Sequence, residues 1–253
     1  MAELDVANLS LRFGGLHVLD DVSFSVAPGE LFALIGPNGA GKTSVFNCIC
    51  GLYRGTGRIA FAGRDVMGLY PALIARLGIG RTFQHGELFP HMTVLDNLMT
   101  ARHGLMRTGL LAEMFNLSSV RRAEEEHRAK VEDVIEFVEL ERYRHTNVDD
   151  MHFGIQKVVG FARALATEPK LLLLDEPSAG LNRDEREDLA RFVLRLKHEL
   201  KLAMIWIEHD MQMIADLADR VHVLHYGRTL ASGTPEAVLN DAQVVEAYLG
   251  AKA

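Results

Sequence analysis

The segment ELFALIGPNGAGKTSVFNCICGL, Glu30 to Leu52, constrains the fold more than any other part of the chain. ELFALIG is a short apolar run that reads as a buried parallel strand. In TSVFNCICGL, Val45, Ile49 and Leu52 recur at helical spacing and predict a helix. Between them, Gly36 to Thr43 reads GPNGAGKT and fits G-x-x-x-x-G-K-[ST]. In that setting backbone N–H groups of the loop can ring phosphates, helped by the helix N-terminus. Lys42 would reach the β- and γ-phosphates, and the Thr43 hydroxyl would bind Mg²⁺. A tight glycine turn is the alternative; the strand, the helix and all four motif letters together weigh against it.

The remaining pattern surrounds this unit with three kinds of segment. ELDVANLSLRF and DVSFSVAPGE, separated by FGG, alternate as β-strands do, and RIAFAG adds another short strand. From about residue 95 to 150 the chain turns helical. VLDNLMTARHGLMRTGLLAEMF is apolar at helical spacing, and RRAEEEHRAKVEDVIEFVEL reads as a charged amphipathic helix. Its pairs Glu124–Arg128 and Glu126–Lys130 sit four apart, and the plain reading of its charge is a solvated face. After residue 165 strand and helix alternate again. LLLLDE is a strand, as are AMIWIEHD and RVHVLHYG. Between them Asn182 to Leu200 is a helix with a stripe of Leu189, Phe192, Val193, Leu196 and Leu200, opened by a capping-box pair, Asn182 and Glu185. The expected architecture is an α/β core of mostly parallel sheet, an N-terminal antiparallel β subdomain and an inserted helical lobe.

Composition removes several classes. A net charge of −7 over 253 residues argues against nucleic acid as the main partner, because phosphate backbones require clustered excess cations. Cys48 and Cys50, two residues apart in a predicted helix, face different ways and form neither a disulfide nor a metal pair. The opening MAELDVANLSLRF has no basic start and no apolar core, so no signal peptide is expected. The run LAMIWI, Leu202 to Ile207, is far shorter than the roughly 20 residues that span a bilayer.

Two further clusters carry chemistry. Asp175 ends the strand in LLLLDE, where a carboxylate can hold Mg²⁺. Glu176 beside it is the expected base that polarises an attacking water, a role worth about 10²–10⁴ in rate. An ordinary surface strand end explains Asp-Glu equally well in isolation, and much less well downstream of the Gly36–Thr43 loop. His209 in IWIEHD follows another apolar run and is placed to contact a γ-phosphate; a simply satisfied or exposed histidine is the competing reading. His222 and His225, three apart on a strand, point to opposite faces and make a poor metal pair.

With these residues in place, the chain resembles the ATP-binding subunits of ABC transporters over nearly its whole length. The resemblance implies a P-loop NTPase core with ATP and Mg²⁺ as ligands. It assigns Phe13 to stacking on adenine. It assigns Gly36, Pro37, Asn38, Gly39, Ala40, Gly41, Lys42, Thr43 and Ser44 to the phosphates, and Gln84 in RTFQ to reaching both Mg²⁺ and a membrane subunit. LLLLDE matches the strand with metal ligand and catalytic glutamate, SAGLN the D-loop, and His209 the switch histidine. GIGRTFQHGELFPHMTVLDNLM, IEHDM, HYGRTLASGTPEAV and VVEAYLG resemble the branched-chain amino-acid importer type, and ARHGLMRTGLLAEMF resembles its extended helical lobe. Urea and short-amide importers share the pattern. On this resemblance one ABC domain spans 1–253, with a core of 1–95 and 166–253 and a lobe of 96–165 carrying the signature.

That signature is altered. The resembling group reads close to LSYGQQRRVEIARAL, and this chain reads MHFGIQKVVGFARAL from Met151 to Leu165. Gly154 and the ARAL tail are kept; His152 replaces serine, Ile155 replaces glutamine, and Lys157 and Val158 replace an arginine pair. In the family two ATPase subunits dimerise head to tail, each signature facing the partner's nucleotide. Neutral drift at a helix N-terminus is one reading of these changes; the functional reading expects one strong and one weak site, which favours a heterodimer with a second ATPase subunit. Asn182 stands where that family's D-loop usually ends in aspartate and reads as a tuning change. Leu88, Phe89 and Met92 either line a groove for a coupling helix of the permease or pack in the core. The implied assembly includes permease subunits, an extracytoplasmic solute-binding protein and a peripheral position on the cytoplasmic face of the membrane. Rival functions are an ABC ATPase for another cargo, such as urea, an aromatic acid or a lipid, and an ATP-binding regulatory module with little turnover.

Overall fold

The computed structural model of the protein describes residues 3–82, 88–105 and 118–250. Gln84 and most of ARHGLMRTGLLAEMF lie outside the described residues. In chain order the elements are strands β1 (Leu4–Phe13), β2 (Leu16–Val26) and β3 (Leu31–Ile35), helix α1 (Lys42–Ile49), β4 (Thr56–Phe61), β5 (Arg64–Asp65), α2 (Pro71–Leu77) and β6 (Ile79–Thr82). Then come α3 (Val94–Arg102), α4 (Ser118–Phe137), α5 (Phe153–Leu165), β7 (Leu171–Asp175), α6 (Arg183–His198), β8 (Ala203–Ile207) and α7 (Met211–Leu217). β9 (Arg220–His225), β10 (Arg228–Gly233), α8 (Pro235–Leu239) and α9 (Ala242–Gly250) follow.

The strands form two sheets. One is antiparallel with order β2-β1-β4-β5, and the other has order β10-β9-β3-β8-β7-β6. In the second, β9, β3, β8, β7 and β6 run parallel and β10 closes the edge antiparallel to β9. β3, β7 and β8 are buried at every position, which is why they read as unbroken apolar runs. Their side chains alternate between the faces of the sheet, and Ala33 and Ile35 of β3 join a third cluster with Ile214, Val221 and Val223. Leu31, Leu172, Leu174, Met204 and Trp206 pack with α3, α4, α5 and α6. Phe32, Leu34, Leu171, Leu173, Ile205 and Ile207 pack with α1 and the antiparallel sheet.

Several local expectations shift. Helix α1 ends at Ile49, so Leu52 lies beyond it and is exposed; Leu200 likewise lies past α6 and is exposed. Both apolar positions continue a helical spacing that the backbone has already left. Strand β6, in GIGRT, carries too little apolar pattern to read as a strand and owes its form to pairing with β7. Asn182 and Glu185 do form the full capping box that starts α6. Parallel pairing brings the carboxyl ends of β3, β7 and β8 to one edge, the position where open α/β sheets gather ligands.

Candidate functional site

The loop after β3 is shaped by its backbone. At Gly36, φ is 150°, and a Cβ there would lie 2.1 Å from the Leu224 carbonyl oxygen, so no side chain fits. Gly41 caps α1 without any side-chain hydrogen bond, leaving the first helical N–H groups to an anion. Lys42 is buried, and its Nζ donates to the Gly36 and Pro37 carbonyls at 2.7 and 3.1 Å. Burial holds its pKa below the usual lysine value, opposed by the nearby Glu176 and Asp175 carboxylates. A cavity of about 450 Å³ opens over this loop, lined by Asn38 through Ser44, by Leu16, His17 and Val18, and by Glu176 and Tyr226. Phe13 is not among the lining residues. It ends β1, half-exposed, with its ring edge-on to Tyr53 at 5.1 Å between centroids.

Asp175 ends β7 and is almost fully buried. Its Oδ2 accepts from Arg81 Nη2 at 2.7 Å, and its own N–H donates to Thr82 Oγ1 at 3.2 Å. Its Oδ1 is buried with no hydrogen-bond partner. An orphan carboxylate oxygen inside a protein is costly without a cation, so the donor set at Asp175 fits Mg²⁺. Glu176 follows with φ of 47°, the left-handed region that costs a non-glycine residue energy and that clusters at functional sites. Its N–H is held by the Ile207 carbonyl at 2.9 Å, and its Oε1 meets His209 Nε2 at 2.9 Å. His209 stands just past β8, its own amide bonded to Glu208 Oε1 at 2.7 Å. Loop lysine, carboxylate pair and histidine therefore converge on one edge, as a phosphoryl-transfer site requires.

The altered signature sits elsewhere on the surface, at the start of α5. His152 is the N-cap, with Nδ1 accepting from the Gly154 amide at 3.3 Å and lying 3.2 Å from Glu185 Oε1. The same Glu185 carboxylate accepts from the Asn182 amide through Oε2 at 2.9 Å. Signature and D-loop are thus joined within one chain. A Cβ on Gly154 would lie 1.9 Å from Glu185 Oε1, so glycine is what allows the carboxylate to close over the helix start. Ile155 packs partly buried against the helical core, and burial lowers the pKa of Lys157.

Two other sets of predicted residues find plain places. Phe89 and Met92 are exposed, with Phe89 under Arg163 at 5.2 Å, while Leu88 is partly buried against the helical core. Cys48 and Cys50 are both free; burial pushes the Cys48 thiol up to about 11 and also raises Cys50. Arg81 is the residue that sequence reasoning passed over. It lay in the quoted GIGRTFQ, and an isolated arginine on an uncalled strand gave no sign of its partner, which is 94 positions away. Among the described residues no helix is long and apolar enough to cross a membrane.

Comparison with known proteins places this geometry in a lineage. The ABC transporter family model matches residues 19–179, and the branched-chain amino acid ATP-binding cassette transporter model matches 228–253. The chain is 40% identical to the high-affinity branched-chain amino acid transport ATP-binding protein LivG of Escherichia coli (strain K12), covering 98% of this chain and 97% of that one. It is 39% identical to the corresponding BraF protein of Pseudomonas aeruginosa over 98% of its length. A crystal structure of an ATP-binding cassette of an ABC transporter in its ADP conformation superposes with a TM-score of 0.86, at 33% identity, with 99% of each chain covered. Family match, identity along nearly the whole length and shared fold agree: the chain belongs to the ABC transporter family, among the ATP-binding proteins of the branched-chain amino acid group.

Proposed function

We propose that this chain is the ATP-hydrolysing subunit of an importer for branched-chain or related amino acids. The observation that carries the reading is the meeting of Glu176 and His209 at 2.9 Å, with Glu176 lining the same cavity as Lys42. The relatives are branched-chain amino acid transport proteins along the full chain, which favours that cargo over urea, aromatic acids or lipids.

In this reading residues 36–44 hold the phosphates of ATP, Lys42 leaves its loop carbonyls to meet the β- and γ-oxygens, and the base lies toward Phe13. Thr43, Asp175 and Gln84 would hold Mg²⁺, which when bound neutralises charge on the β- and γ-oxygens. Glu176 takes the proton of the attacking water, and His209 fixes that carboxylate and contacts the γ-phosphate. His152 and Gly154 face a nucleotide on a second ATPase subunit, and that subunit supplies the better signature in return. Residues 1–95 and 166–253 act as the nucleotide core and 96–165 as the lobe that carries the signature. The exposed Phe89 and Met92 border the surface that meets the permease, which holds the chain peripherally at the cytoplasmic face and links it to a solute-binding protein.

The test is uptake of labelled leucine by a strain lacking this chain and complemented with it. Complementation restores uptake, and isoleucine and valine compete where urea does not. Uptake that is indifferent to the chain, or competed by urea and not by isoleucine, overturns the reading.

A further inference from the structure

Arg81 connects three parts of the molecule whose positions set the metal carboxylate. Nη2 bonds Asp175 Oδ2 on β7 at 2.7 Å, and Nη1 bonds Asn47 Oδ1 on α1 at 2.7 Å. Its guanidinium also stands 5.6 Å from the centroid of the Phe46 ring on α1. Arg81 itself belongs to β6. The side chains of Arg81 and Asp175 are 9% and 3% exposed, so neither charge is solvated and each depends on the other. On its opposite flank Arg81 lines a groove of about 410 Å³ with Cys50, Ile79, Leu88 and Arg163. A planar fork held at two points has little freedom to rotate. It therefore fixes the Asp175 carboxylate with Oδ2 occupied and Oδ1, the atom without a partner, kept for something else.

We infer that Arg81 is a positioning residue for Asp175: it holds the carboxylate so that Oδ1 faces the divalent cation of bound ATP. This rests on the reading of Asp175 as a metal ligand. Lysine at this place would keep the charge but lacks the rigid planar fork that fixes Asp175 and Asn47 in one geometry. Methionine would fill the space and leave the carboxylate free to turn. Groups that orient a metal ligand change metal affinity about 10–100-fold when they are removed.

The experiment measures nucleotide affinity with a fluorescent ATP analogue, with Mn²⁺ and with EDTA, in the Glu176→Gln background so that nucleotide is not consumed. The Mn²⁺ resonance spectrum is recorded on the same samples. Arg81→Met is expected to lower the ratio of Mn²⁺-dependent to metal-free affinity about tenfold and to broaden the spectrum. Arg81→Lys falls between, and is read alone if the methionine variant does not fold. Asp175→Asn separates the two layers of the inference. If it lowers the ratio and the Arg81 variants do not, Arg81 has no positioning role and the inference fails alone. If Asp175→Asn leaves the ratio unchanged, the metal reading fails and takes the inference with it. Equal loss of affinity with and without Mn²⁺ in the Arg81 variants shows a packing role only, which also overturns it.

Discussion

His152 and Glu185 meet at 3.2 Å, Nδ1 to Oε1, and the same Nδ1 lies 3.3 Å from the Gly154 amide. The two contacts ask for opposite hydrogen positions. The amide needs a bare Nδ1, and the carboxylate needs a protonated one. With Nδ1 bare, the neutral ring carries its hydrogen on Nε2.

His152→Ser is expected to restore a compact donor at the signature. Serine also caps helices well, so stability should change by less than about 0.5 kcal/mol. Hydrolysis of the partner subunit's nucleotide, the one this signature is proposed to face, should rise by about tenfold or more, since one donor aimed at developing charge is worth about 10²–10³ in rate. A thermal melt and a phosphate-release assay check the pair of outcomes.

Gly154→Ala probes the closure of Glu185 over the signature helix. In a helix the change ordinarily stabilises by up to about 1 kcal/mol. Here the new methyl would collide with Glu185 and open the capping box with Asn182. The gain should therefore appear only in a Glu185→Ala background and vanish in the parent chain. A double-mutant cycle read by denaturant melts measures that difference.

His222 gives the fold a sensitivity to mild acid. It is buried beside Phe24 and Phe32, its Nε2 3.1 Å from Thr229 Oγ1 and its Nδ1 without a partner. Burial, then the Arg220 charge, pushes its pKa down from 6.5 to about 4. Above pH 6.5 the ring is neutral folded or unfolded and contributes no pH dependence. Below it the unfolded chain takes a proton that the folded chain refuses until about pH 4, so stability falls across that window. The loss should reach about 2 kcal/mol by pH 5 and about 3 kcal/mol at pH 4. His222→Phe should remove that part of the slope in denaturant melts at pH 7.5 and pH 5.

What could be read in advance follows from how local each signal is. Lys42 and Thr43 open α1, and Asp175, Glu176 and His209 stand at or just past the ends of β7 and β8, in short windows where backbone form and residue type are legible together. β6 could not be read so easily, because Ile79, Gly80, Arg81 and Thr82 take their strand form from β7 and not from their own pattern. Arg81 and Asp175 are joined only by the parallel register of two strands, and Glu185 and His152 only by the approach of α6 to α5. Helical spacing overran the real helix ends at Leu52 and Leu200, since periodicity does not say where capping stops it. Phe13 was singled out by its motif position alone; in the fold its ring packs edge-on against Tyr53.

Single-turnover hydrolysis of labelled ATP by Glu176→Gln, measured alongside ATP affinity, decides whether Glu176 is the base proposed for ATP hydrolysis. A lost carboxylate base should slow hydrolysis about 10²–10⁴-fold while ATP still binds as in the parent chain. Hydrolysis at an undiminished rate would contradict the account.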